Sequence, residues 1–175
     1  MKRIITLLLL AFSMSAAIGC KNDKTSSQTE ASDPESEKTA IFAIADKFHT
    51  AFKAKKPQDI KALTIENGFY MGTDPDEVFS QLAFEKYLIE KLTNPAIGTI
   101  DYQIDRREII FEDNGAGAVL VDQFKPIAFT QYVSWRMATH LVKKDGAWKF
   151  DFISLSMIPK NDVVPAVNAA AYQGN

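Results

Sequence analysis

From about Thr39 the apolar positions recur with a helical period. Ile41, Ile44, Ala45, Phe48 and Phe52 fall at the three-and-four spacing of an amphipathic helix that runs to about Lys55. Pro57 ends it and opens a second, short helix over 58–64, with Ile60 and Leu63 turned inward. Asn67-Gly68 predicts a turn and Phe69-Tyr70-Met71 a short strand. Leu82, Phe84, Tyr87, Leu88 and Leu92 then predict a further helix to about Thr93, stopped by Asn94-Pro95.

Beyond that point the period falls from 3.6 to 2. Ile100, Tyr102 and Ile104 alternate with Asp101, Gln103 and Asp105, the pattern of a strand with one wet face. Asn114-Gly115 predicts a hairpin turn, 117–125 the next strand, and Lys125-Pro126 its end. Residues 131–143 predict a third long strand. Asp145-Gly146 is a second hairpin signal, and 147–158 a fourth strand closed by Pro159. The tail, 161–175, is rich in Ala, Asn and Val and is expected to be loosely held. No internal repeat is present. Helices first and an antiparallel meander afterwards predict an α+β domain, its strongly curved sheet covered on one face by the helices.

The N-terminus carries a different message. Lys2 and Arg3 precede an apolar run from Ile4 to Ile18, and small residues lead into Cys20. This is the pattern of a secretory signal. Ala17-Ile18-Gly19-Cys20 resembles the bacterial lipobox, in which the cysteine is lipidated and becomes the new N-terminus. Residues 1–19 are thus expected to be removed and Cys20 to hold the chain to a membrane. Residues 20–38 hold no large apolar side chain and read as a flexible tether between anchor and domain. The expected address is the bacterial cell envelope, at the outer membrane, periplasmic or surface-exposed.

Composition narrows the choices further. The chain has 20 basic and 22 acidic residues, with no basic cluster, so a nucleic-acid partner is not expected. Cys20 is the one cysteine, which leaves no disulfide framework, thiolate metal site or cysteine nucleophile once it is lipidated. No His-x-x-x-His, Glu-x-x-His or Gly-x-Ser-x-Gly pattern appears, so neither a metal nor another cofactor is expected.

Two motifs carry a resemblance. Tyr70-Met71-Gly72-Thr73-Asp74-Pro75-Asp76-Glu77-Val78-Phe79 and the hairpin Asp145-Gly146-Ala147-Trp148-Lys149, followed by Ser154-Leu155-Ser156, resemble the SnoaL-like branch of the nuclear transport factor 2-like superfamily over about residues 40–160. The resemblance implies a cone: a curved antiparallel sheet wrapped around N-terminal helices, with an internal cavity. It also implies a possible homodimer through the outer sheet face. The superfamily spans isomerases, cyclases, dehydratases and pure binding modules, so the fold leaves activity open.

Candidate site residues follow from facing and chemistry. Asp74, Pro75 and Glu77 have the spacing of a capping box, with Thr73 or Asp74 as possible ligand contacts. Asp122 lies in an apolar strand, where burial would raise its pKa and suit it to act as a base; the alternative is a carboxylate paired to Lys or Arg. Superfamily steroid isomerases use an aspartate base with a tyrosine donor, a role that Tyr70 or Tyr102 would fill beside Asp122. Arg136 and His140 share one face of their strand, opposite Val133, Trp135, Met137, Thr139 and Leu141, and are expected to face outward. Reversed parity would instead make them the pocket's anion-holder and acid/base. His49 lies beside Phe48 and is expected to be exposed. Aromatic residues, Trp135 among them, would line a greasy cavity.

Three functions fit. The first is a lipid-anchored module that binds a small apolar or aromatic molecule or a protein partner. The second is a cofactor-free isomerase, cyclase or dehydratase using Asp122 or His140 as base. The third is a dimeric structural subunit of an envelope assembly.

Overall fold

The computed structural model describes residues 33–113, 115–125, 130 and 132–173. The expected leader, the expected lipidation at Cys20 and most of the expected tether lie outside the described residues.

Helix α1 spans Pro34–Lys53 and begins earlier than the apolar pattern suggests. Asp33 caps it by accepting from the Ser36 amide, Pro34 presets the first turn, and Glu35 and Glu37 complement the helix dipole. Residues 34–38, expected in the tether, are therefore helical. Glu37 anchors them by accepting from the Trp148 indole at 2.6 Å and pairing with Lys143. Helix α2 is the short Pro57–Lys61, and α3 is Gln81–Thr93.

Six strands form one sheet: β1 (Thr64–Met71), β2 (Val78–Phe79), β3 (Ile104–Phe111), β4 (Gly117–Phe124), β5 (Ser134–Lys144) and β6 (Ala147–Ile158). Their order is β2-β1-β6-β5-β4-β3, curved and not closed. The β3–β6 meander is antiparallel as the alternation predicts, but β1 pairs with β6 in parallel, so the sheet is mixed. The helices α1 and α2 carry the chain back before β1 begins, which is why it enters beside β6 in the same direction. Asp145 and Gly146 both have positive φ (52° and 77°), the geometry a tight two-residue hairpin requires.

Three local expectations are corrected. Asn67-Gly68 is not a turn between elements but an irregularity inside β1, where the register to β6 shifts between Thr64 and Phe69. The Tyr70 hydroxyl fills this irregularity: it accepts from the Ile65 amide at 3.0 Å and reaches the carbonyls of Ile65 and Phe150. A Cβ on Gly68 would overlap that hydroxyl, so glycine is needed there. The Asp74-Pro75 run starts no helix, because Glu77 turns back to the Thr73 and Asp74 amides (2.8 and 3.2 Å) and closes the β1–β2 loop. Helix α3 instead begins after Ser80, whose hydroxyl accepts from the Ala83 amide. Ile100 and Tyr102 point inward as predicted, but they lie in an extended segment ahead of β3 rather than in the sheet.

The inner sheet face presents Ala118, Leu120 and Phe124 from β4, Trp135, Met137 and Leu141 from β5, and Phe150 and Ile153 from β6. Ile41, Ala45 and Phe48 of α1 and Phe84, Leu88 and Leu92 of α3 pack among them. Each such side chain contributes on the order of 1.5–3 kcal/mol by leaving water. The tail forms a 3-10 turn, Asn161–Val163, and a helix α4, Val164–Gln173, whose described side chains are exposed.

Tyr70→Phe keeps the ring stacked on Phe84 but removes the hydroxyl from a buried backbone irregularity. The variant should lose about 1–3 kcal/mol in urea unfolding. An unchanged midpoint would mean that the hydroxyl does not hold β1.

Candidate functional site

The inner face carries a fully buried carboxylate in its apolar rows. Asp122 alternates inward with Leu120 and Phe124 and is 0% exposed. A carboxylate so placed must be met by donors or it would not stay charged. Arg107 on β3 lies directly across the ladder and grips it with two bonds, Nε to Oδ1 at 2.7 Å and Nη2 to Oδ2 at 2.9 Å. The guanidinium also donates to Asp46 of α1 at 2.8 Å. The third donor is His49 of α1, whose Nε2 is 2.8 Å from Oδ2. The other ring nitrogen, Nδ1, is 2.8 Å from the Tyr102 hydroxyl. A continuous polar chain thus runs Asp46–Arg107–Asp122–His49–Tyr102.

Its protonation follows from these bonds. Burial pushes the Asp122 carboxyl up, but hydrogen bonds from His49 and Arg107 and the guanidinium charge outweigh it, so the group is held below the usual carboxylate range. An ionised carboxylate only accepts, so His49 Nε2 carries a proton. In the neutral ring Nδ1 then accepts from the Tyr102 O–H. Burial, and after it the Asp122 charge, push the Tyr102 phenol well above its ordinary value, so it stays protonated.

This chain ends at a cavity of about 320 Å³, which His49 and Tyr102 both line. The cavity sits at the low end of the ~300–1,000 Å³ range of small-molecule sites. Phe48 and Phe52 of α1, Phe84 and Leu88 of α3, and Phe124 and Trp135 of the sheet are among the apolar residues of its wall. Around His49 the rings of Phe48, Tyr102 and Phe124 stand edge-on at centroid distances of 5.5–5.7 Å. A second polar group lies on other elements: Thr73 and Glu77 of the β1–β2 loop, with Tyr87 and Lys91 of α3. The Tyr87 phenol is pushed up by burial and then by Glu77.

The expected site residues divide. Tyr102, Trp135 and Thr73 line the cavity, and Asp122 stands directly behind His49. Asp122 is buried as one reading had it and paired to an arginine as the other had it, so its pKa falls rather than rises. Tyr70 is inward, but its hydroxyl is consumed by the backbone and it does not reach the cavity. Asp74 is exposed and accepts from the Asp76 amide. Arg136 and His140 stand on the outer sheet face, because the β4–β5 register runs without a shift and preserves parity, so neither lines the cavity. His140 is held there between Asp151 (2.7 Å) and Glu112 (3.0 Å). Burial lowers its pKa, but these carboxylates raise it by more.

His49 and Arg107 escaped the sequence reading. His49, expected to be exposed, is 6% exposed. It follows Ala45 by four residues and Ile41 by eight, which places it on the buried stripe of α1. Among the described residues no group of three or more His, Cys, Asp or Glu side chains is placed to hold a metal ion.

Comparisons with known proteins agree with the architecture. A family model for the SnoaL-like domain matches residues 41–160. Solved structures of the same fold include a nuclear transport factor 2-like protein of unknown function from Pseudomonas putida. It is 10% identical with a TM-score of 0.63, over 74% of this chain and 92% of that one. A provisional scytalone dehydratase from Novosphingobium aromaticivorans is 17% identical with a TM-score of 0.58, over 71% and 85%. A provisional calcium/calmodulin-dependent protein kinase II association domain from Xanthomonas campestris is 23% identical with a TM-score of 0.55, over 75% and 92%. At these identities the likeness speaks for the fold alone. No curated protein matches the chain.

Asp122→Ala strands Arg107 and His49 in the interior and should cost about 3–5 kcal/mol in urea unfolding. The depressed Asp122 pKa contributes stability that is present above the unfolded carboxylate value and lost as pH falls through the folded one. The variant should therefore lose stability less steeply in acid than the parent does. His140 has the opposite sign: its raised pKa contributes stability below the unfolded histidine value, lost as pH rises through the folded one. His140→Ala should flatten only that upper limb.

Proposed function

Because the chain belongs to the SnoaL-like family, we propose that it captures a compact apolar or aromatic molecule in its cone while tethered to the cell envelope through a lipid on Cys20. The observation that carries this reading is the cavity itself: a wall of rings and aliphatic side chains with one buried polar pair, His49 and Tyr102, on it. Such a wall gains affinity from area removed from water, and the polar pair would orient the ligand's one polar group. Export and anchoring rest on the Lys2-Arg3 start, the apolar run and Ala17-Ile18-Gly19-Cys20.

The outer sheet face supports a homodimer as a further part of the proposal. Phe69, Val119 and Ile110 are exposed there, at 50%, 42% and 72%. They fall on one row across the strands, since Phe69 pairs Phe152, Phe152 pairs His140, His140 pairs Val119 and Val119 pairs Ile110.

A second reading is favoured by the Tyr102–His49–Asp122–Arg107 connection. It is acid–base catalysis without a cofactor, of the isomerase, cyclase or dehydratase kind, and the scytalone dehydratase among the structural neighbours fits it. With the Tyr102 O–H turned from Nδ1 to the substrate oxygen that gains charge, His49 Nδ1 would be released to take a proton from a substrate carbon, and Asp122 and Arg107 would hold the imidazolium.

Trp135 lines the cavity and Trp148 does not, which provides an internal control. In the protein labelled with 5-fluorotryptophan, a bound aromatic probe such as naphthalene should move the Trp135 ¹⁹F resonance and leave that of Trp148 in place. Parallel shifts, or none at saturating probe, would contradict capture in the cone. Separately, Cys20→Ser should move the protein from the membrane fraction to the soluble fraction, and an unchanged distribution would contradict lipid anchoring.

A further inference from the structure

Two phenols line the cavity, Tyr87 beside Glu77 and Tyr102 beside His49, and the single proton of Tyr102 is already committed. With neutral His49, the order of donors is fixed from the carboxylate outward. Asp122 accepts from Nε2–H, and Nδ1 accepts from the Tyr102 O–H. In that state Tyr102 has only a lone pair to offer, so it suits a ligand that donates. If His49 takes a second proton, Nδ1–H donates to the Tyr102 oxygen, and the phenol proton is free to point into the cavity. That state suits a ligand that accepts. With Asp122 ionised and Tyr102 protonated, no third arrangement satisfies all four atoms.

The charges around His49 permit both states. Asp122 faces it from β4, and Arg107 of β3 reaches it through Asp122. On its own helix, Asp46 is held by Arg107, and Lys53 lies 4.6 Å from the Tyr102 ring centroid while pairing with exposed Asp101. The rings of Phe48 and Phe124 complete the packing around the imidazole. Asp46, Asp122 and Arg107 together leave one net negative charge beside the imidazole. A proton on His49 cancels it.

We infer that the cavity reads its ligand's hydrogen-bonding character through the charge of His49: a carbonyl-type acceptor binds with uptake of one proton, and an N–H or O–H donor binds without it. This rests on the small-molecule reading above and deepens it. A carbonyl compound so held finds His49 already protonated, which suits capture rather than abstraction of a proton.

The test is calorimetry on the full mature chain with two probes of similar size, acetophenone, which only accepts, and indole, which only donates. Each is titrated in phosphate and in Tris, whose different heats of ionisation report the protons exchanged. Wherever the free protein holds the His49 ring neutral, acetophenone should bind with uptake of about one proton. Its affinity should fall about tenfold per pH unit in that range. Indole should show no uptake and a flat affinity. Tyr102→Phe should abolish the uptake seen with acetophenone. Binding of both probes with equal proton exchange overturns this inference and leaves capture standing. Binding of neither contradicts capture itself and the inference with it.

Discussion

The structure depends on keeping one carboxylate charged inside an apolar domain. Moving Asp122 out of water costs several kcal/mol, which its partners must offset. Two bonds from Arg107 and one from His49 do so, and the network they belong to joins separate parts of the chain. Arg107 ties β3 to β4, His49 ties α1 to the sheet, and Tyr102 ties the segment before β3 to α1 through the same ring. Hydrophobic burial sets how much area α1 covers. The directional bonds set where it sits, because His49 reaches both Asp122 and Tyr102 only when α1 is seated at one depth and rotation. Asp46, one turn before Thr50 on the exposed side of α1, extends the same constraint to the surface through Arg107.

The same arrangement accounts for the cavity. Tyr102 stacks on Phe124 at 4.9 Å, and His49 stands edge-on to both, so the polar groups sit within a shell of rings. Across from it, α3 packs Phe84 on Tyr70, whose hydroxyl is spent on the backbone. The two tyrosines that look interchangeable in sequence thus do opposite work. Tyr70 closes a defect in β1, and Tyr102 presents a phenol to the cavity. On the outer face, His140 belongs to a separate carboxylate cluster formed where β6 bulges at Asp151.

Much of this was legible from period and turn chemistry. The switch from 3.6 to 2 located the sheet, and Asp145-Gly146 fixed the β5–β6 register. Asn114-Gly115 did as much for β3 and β4: Arg107 and Asp122 are equally distant from that pair, so a register centred there sets them opposite each other, as observed. The pairing is therefore implicit in the spacing of the two strands about the turn. His49 was not legible in this way. As a polar residue beside Phe48 it reads as lying off the apolar stripe and exposed, and only its partners, 53 and 73 residues away, make burial tolerable. The capping-box reading of Asp74 failed because Glu77 satisfies the Thr73 and Asp74 amides as readily in a loop as it would in a helix. The parallel placement of β1 has no local signature, since it is decided by where α1 and α2 deliver the chain.

The most direct test of this account is the state of the His49 ring in the free protein, read by long-range ¹H–¹⁵N correlation of the imidazole nitrogens at alkaline pH. The account predicts a single neutral tautomer with the proton on Nε2, and that proton far downfield and slow to exchange because it is donated to buried Asp122. A ring protonated on Nδ1, or averaging between tautomers with a fast-exchanging proton, would contradict it.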